Sequence, residues 1–258
     1  MNVKPMHYSW PEFYDRVIDL TSYTFSWKAI ANRYHSSKVR IPRWMNFIRA
    51  ISSEGFGRLK YYREVRRRLD EDKPLIAFIG RLVGEKAADL LPDAISQSIF
   101  QHHGKANFLV LGSGEPYLEE RLDSLKGQFN GYFNTYIGYS EPLSHMIYAG
   151  SDFLLMPSRV EPCGLNQMYA LRYGTVPMVR SVGGLKDTIR DFGDHEGFGI
   201  RFDQPSVGDI TYSVGRAIDL YTNKQDLYQW MRGYMMTIDH SWDSSAQQYI
   251  DLYQSLKN

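Results

Sequence analysis

Phe153-Leu154-Leu155-Met156-Pro157-Ser158-Arg159-Val160-Glu161-Pro162-Cys163-Gly164-Leu165-Asn166-Gln167-Met168-Tyr169-Ala170 is the stretch on which the reading of this chain turns. Its first four residues form an unbroken apolar run, the mark of a strand covered on both faces, and Pro157 ends it. From Asn166 to Tyr173 the composition favours helix, and Gly174 stands where a C-terminal cap belongs. An acid, a base and a glycine-bearing turn therefore lie between the carboxyl end of a strand and the start of a helix. In open α/β sheets ligands bind at that edge. The amino end of a helix, with its N–H groups and positive dipole, suits an anion such as phosphate. A carboxylate beside that anion is repulsive unless it has another task, such as holding sugar hydroxyls. The combination suits a nucleotide-sugar.

Upstream, the same alternation repeats. Apolar runs at 75–80, 107–112 and 132–137 read as strands, each followed by a helical stretch at 88–101, 115–129 and 141–149. Downstream, 176–179 continues the series, 185–192 reads as a short helix, 209–221 and 226–236 as closing helices, and 242–256 as a tail helix. Strands alternating with helices of this length build βαβ units, hence an α/β fold with a Rossmann-like, mostly parallel sheet. Right-handed crossovers bring the glycine-rich turns after the strands, at Gly80, Gly112-Ser113-Gly114, Gly138 and Gly183-Gly184, to one edge of that sheet.

Residues 1–72 differ: they are aromatic and helical in period, and lack a strand series. The expected division is a helical, basic N-terminal segment or linker at 1–72 and the sheet domain at 73–258, with its C-terminal tail helix. Net charge is +1 over 258 residues, but 1–72 holds 14 Lys/Arg against 8 Asp/Glu, so the remainder carries −5. The run Arg63-Glu64-Val65-Arg66-Arg67-Arg68 reads as a solvated helix face before it reads as a contact for a polyanion, and no nucleic-acid partner is expected. Ser9-Trp10, Ser26-Trp27 and Ser241-Trp242 each place a capping serine before an amphipathic helix, an echo that chance also produces. One cysteine excludes an internal disulfide and fits a reducing cytoplasm. No apolar run approaches the roughly 20 residues of a membrane span, and no signal-peptide core opens the chain.

Individually, the remaining signals leave two readings open. Arg81 and Lys86 follow the first strand, where an Arg fork and a Lys point charge can grip a diphosphate, or simply be surface cations. Gly112-Ser113-Gly114 is a turn without the full dinucleotide fingerprint, which argues against a nicotinamide cofactor. Tyr139 can stack on a base or be an ordinary packed aromatic. Gly183 and Gly184 can form a backbone nest or satisfy a turn that needs glycine torsions. Cys163 has no His near it in sequence, which disfavours a thiol nucleophile. No Cys/His spacing suits a metal.

Taken together, Gly80-Arg81-Leu82-x-x-x-Lys86, Leu111-Gly112-x-Gly114, Ile137-Gly138-Tyr139, Pro157-Ser158-Arg159-x-Glu161-Pro162-Cys163-Gly164-Leu165 and Gly183-Gly184-Leu185-x-Asp187-Thr188 resemble the bacterial glycogen synthase and plant starch synthase family. These are retaining glycosyltransferases of the two-domain GT-B fold, and the resemblance covers only their C-terminal, donor-binding half. It implies transfer of glucose from ADP-glucose or UDP-glucose to an α-1,4-glucan acceptor, without metal or other cofactor. It also implies roles: Arg81 and Lys86 on the diphosphate, the N–H groups of Leu165 and Asn166 on its distal phosphate, Glu161 on the glucose hydroxyls with Cys163 nearby, and Tyr139 on the adenine. Gly80, Gly112, Gly114, Arg159, Gly164, Gly183 and Gly184 complete the implied donor site. Ala87 departs from the glycine usual in this family. The family's N-terminal domain, with its acceptor loop, is not found in 1–72, so the resemblance implies half an active site, completed by a separate N-terminal domain. The alternative expectation is a non-catalytic module that binds nucleotide-sugar and docks a partner.

Overall fold

Short runs of Leu, Ile, Val and Phe bounded by glycine or proline read as strands covered on both faces, and these runs lie side by side in one sheet. The computed structural model describes residues 73–256; the expected helical segment at 1–72, with its basic run and two of the three Ser-Trp helix starts, lies outside the described residues. The strands are β1 (Leu75–Ile79), β2 (Asn107–Gly112), β3 (Phe133–Ile137), β4 (Phe153–Met156), β5 (Val176–Arg180) and β6 (Ile200–Phe202). All pair in parallel, in the order β3-β2-β1-β4-β5-β6. The winding reverses between β1 and β4. At such a reversal the loops leaving two neighbouring strands diverge and open a crevice at the carboxyl edge. Those two loops are the ones bearing Arg81 to Lys86 and Ser158 to Leu165.

Eight α-helices flank the sheet among the described residues: α1 (Leu91–Gln101), α2 (Pro116–Gln128), α3 (Glu141–Gly150), α4 (Asn166–Tyr173), α5 (Gly183–Thr188), α6 (Val207–Asn223), α7 (Gln225–Met235) and α8 (Trp242–Ser255). The serines at 140, 206 and 241 cap α3, α6 and α8, each accepting from the N–H three residues on. Gly174, at φ +75°, closes α4 in the left-handed cap that only glycine adopts without strain. The sheet core is dry, with Ala77, Phe153, Leu154 and Met178 fully buried. At the amino edge of β4, Asp152 takes Leu75 N–H at 3.0 Å and the Tyr228 hydroxyl at 2.8 Å, tying α7 beneath the sheet. Burial pushes the Tyr228 hydroxyl well above the usual tyrosine range and keeps it a donor. No helix among the described residues is long and apolar enough to cross a membrane.

Three sequence expectations need correction. The helix expected from Ala88 starts at Leu91, where Pro92 occupies the first turn; before it the chain makes two 3-10 turns, Gly84–Lys86 and Ala88–Leu90, joined by Ala87 at φ 52° and ψ 32°. The helix expected at 185–192 runs instead over Gly183–Thr188, so the glycine pair lies inside it. Its chain leaves at an extended Ile189 because Asp191 anchors the next segment, accepting from Gly193 N, Arg201 N and the Arg216 fork. Strand β6 was not expected at all: three residues behind a loop are too few to show a period.

Candidate functional site

Glu161 is the centre. It is 8% exposed, and a buried carboxylate needs a charged or hydrogen-bonding partner. Lys86 supplies the charge, its ammonium on Oε2, and the Ser158 hydroxyl donates to the same oxygen at 3.2 Å. The main chain of Glu161 is held as well: its carbonyl accepts from Gly184 N at 3.1 Å, and Pro162 carbonyl accepts from the same N–H at 3.2 Å. Here the glycine pair is explained by packing. A Cβ on Gly183 would lie 2.1 Å from the Glu161 carbonyl oxygen, and one on Gly184 would lie 2.1 Å from that of Cys163. The amino end of α5 sits directly on the turn.

The turn itself passes through Gly164 at φ +76° into α4. Gln167, fully buried, donates from its amide nitrogen to the carbonyls of Cys163 (2.9 Å) and Gly164 (3.1 Å) and to Thr188 Oγ1 (3.3 Å). Asn166 donates to the Ile79 carbonyl at 2.7 Å, bridging the end of β1 and the start of α4 across the switch point. Leu165, the residue preceding α4, gives no side-chain cap, so the helix mouth keeps its positive character for an anion. Leu165 and Cys163 are exposed beside it.

Of the expected site residues, the structure thus gathers Lys86, Glu161, Cys163, Gly164, Leu165, Asn166, Gly183 and Gly184 about one turn. Arg81 stands apart: its guanidinium faces Glu85 at 3.4 Å and 69% of its side chain is exposed. Tyr139, on the loop after β3, is 84% exposed. Gly112 and Gly114 have a packing reason of their own. The segment after β1 crosses them, with Leu82 N donating to the Ser113 carbonyl and Glu115 N to that of Leu82. A Cβ on Gly112 would lie 2.1 Å from the Gly80 carbonyl oxygen, and one on Gly114 would lie 2.2 Å from that of Leu82. Arg159 was expected at the donor; its fork instead grips Asp89 at 2.5 and 2.8 Å and the Gly84 carbonyl at 2.6 Å. That pairing lowers the Asp89 carboxyl below the ordinary range. Asp89 and Arg180 escaped the sequence reading. Arg180, at the end of β5, donates to the carbonyls of Ser158 (3.2 Å) and Arg159 (2.9 Å); a base closing a strand at the functional edge was its only signal.

A parallel sheet with a reversed winding, carrying an acid–lysine pair at a helix mouth on its switch point, is the arrangement of a ligand-binding α/β domain. The chain belongs to the family of glycosyl transferases group 1, whose model matches residues 63–229. Within it, the chain is similar to a glycogen synthase of Flavobacterium johnsoniae, 54% identical over 185 residues, or 72% of this chain and 39% of that one. It is also similar to starch synthase 2 of Arabidopsis thaliana, 39% identical over 188 residues, or 72% of this chain and 23% of that one. Among solved structures, the catalytic domain of Arabidopsis thaliana starch synthase IV bound to ADP and acarbose superposes with a TM-score of 0.66 at 33% identity, over 75% of this chain and 41% of that one. The described fold is one half of the GT-B architecture. The chain spans about two fifths of the length of the bacterial glycogen synthases it matches.

Proposed function

We propose that this domain binds a nucleoside diphosphate glucose, ADP-glucose or UDP-glucose, and is the donor half of a retaining glucosyltransferase that extends an α-1,4-glucan. The observation that carries the reading is the Lys86–Glu161 pair at the mouth of α4, on the switch point of a sheet. One charge of the pair suits phosphate and the other suits hydroxyls, which is what the two ends of a nucleotide-sugar offer. Lys86 takes the diphosphate, joined by the exposed Arg81 from the same loop, and together they stabilise the charge that grows on the leaving nucleotide. The N–H groups of Leu165 and Asn166 face the distal phosphate. Glu161 accepts hydrogen bonds from the glucose hydroxyls beside Cys163, and Tyr139 stacks on the base. The glucan is presented by an acceptor domain outside residues 73–256, whose closure excludes water and aligns the attacking hydroxyl.

Calorimetry tests this directly. ADP-glucose and ADP should bind the wild-type chain, and Lys86→Ala should weaken both by about tenfold or more, since a charge-assisted hydrogen bond contributes roughly 1.5–3 kcal/mol. Absence of any binding of either nucleotide at millimolar concentration overturns the reading.

A further inference from the structure

Lys86 sits in a loop whose own sequence does not favour its shape. Lys86 ends the first of two 3-10 turns of three residues each, short elements with poor hydrogen-bond geometry, and the two are joined by a left-handed alanine rather than a glycine. Such a conformation persists only where the surroundings over-determine it. Ala87 and Ala88 are fully buried beneath the loop, and polar contacts reach it from one arginine and its backbone. Arg159 binds Gly84 carbonyl on one side of Lys86 and both Asp89 oxygens on the other, and its N–H donates to the Glu85 carbonyl at 2.8 Å. Val160 N adds a longer bond of 3.3 Å to the same carbonyl. Behind it, Arg180 fixes the Ser158 and Arg159 carbonyls. Glu161, the counter-ion of Lys86, lies two residues further along the same segment.

We propose that Asp89 and Arg159 are positioning residues: their bidentate pair straps the loop to the Glu161 turn and so sets where Lys86 meets the diphosphate. Arg159 then acts on the donor through Lys86 and does not touch it. The inference rests on the nucleotide-sugar reading above. It carries a sign that simple electrostatics does not share. Asp89 is an acid near an anion site, so if it acted only through its field, neutralising it would tighten ADP binding. If it is half of a strap, neutralising it loosens Lys86 and weakens binding.

The test is a double-mutant cycle read by ADP calorimetry on the full chain, with thermal melting of each variant as a control for folding. Asp89→Asn should weaken ADP about tenfold in the wild-type background and less than about twofold in the Lys86→Ala background, because coupling is confined to residues that act through one another. Arg159→Lys, which keeps the charge and loses the fork, should show the same background dependence. Tighter binding by Asp89→Asn, or an equal loss in both backgrounds, overturns the strap while leaving the donor reading intact. Failure of the wild-type chain to bind ADP overturns both.

Discussion

Gly184→Ala separates two roles that a glycine at a helix start can play. The new methyl carbon would lie 2.1 Å from the Cys163 carbonyl oxygen, 2.6 Å from its carbon and 2.7 Å from its Cα, all backbone atoms of the turn. A tolerable carbon–oxygen approach is about 3.3 Å, so α5 and the turn must separate by roughly 1.2 Å. That displacement stretches the Gly184 N–H bonds to the Glu161 and Pro162 carbonyls, now 3.1 and 3.2 Å, beyond useful length. Losing those bonds costs about 1–2 kcal/mol, and the overpacking itself about 1–3 kcal/mol. Differential scanning calorimetry should therefore show a melting temperature lower by roughly 5–15 °C for a domain of this size. The same shift drags Glu161 and the mouth of α4, so ADP affinity should fall together with stability, by a factor of ten or more. If the glycine pair served only to let phosphate approach the backbone, affinity would fall while the melting temperature held. An unchanged melting temperature refutes the seating of α5 on the turn.

Tyr228→Phe should cost about 1.5–3 kcal/mol in urea unfolding, because it strips a hydroxyl donor from the buried Asp152 carboxylate, yet leave ADP binding unaltered since Asp152 lies at the opposite edge of the sheet; a matching loss of affinity would contradict that placement. Asp191 titrates with a sign that can be stated: burial raises its carboxyl, but the Arg216 fork and the Arg201 and Gly193 N–H groups outweigh burial and leave it below the ordinary 3.8. Its stabilisation is therefore present above 3.8 and lost as pH falls through the depressed folded value, and Asp191→Asn should flatten the acid limb of a stability–pH curve below about pH 4.

Local signals in the sequence carried far. Apolar runs located β1 to β5, a serine cap located the start of α8, and Gly174 located the end of α4, because each is a property of neighbours in the chain. The strand order was not legible: an apolar run says that a strand is covered, not which strand lies beside it. Yet that order is what sets the loops after β1 and β4 side by side, and without it Lys86 and Glu161 are merely 75 residues apart. The partner of Arg159 was hidden for the same reason. An arginine at a phosphate-binding edge invites a phosphate, and its actual partner, Asp89, lies 70 residues away in a loop read as helix.

The puzzle the sequence posed was an acid placed where an anion should bind. Its resolution is local neutralisation. Lys86 gives a carboxylate that is 8% exposed an opposite charge as its partner. On the proposed reading, the arriving donor brings a partner for each member of the pair at once, diphosphate for the ammonium and hydroxyls for the carboxylate, so neither charge is stranded when the pair opens. Inorganic phosphate alone replaces only one of those partners. On that reading the site selects ligands that join both groups in one molecule, and the proposed Asp89–Arg159 strap serves the exchange by holding the ammonium within reach of both anions.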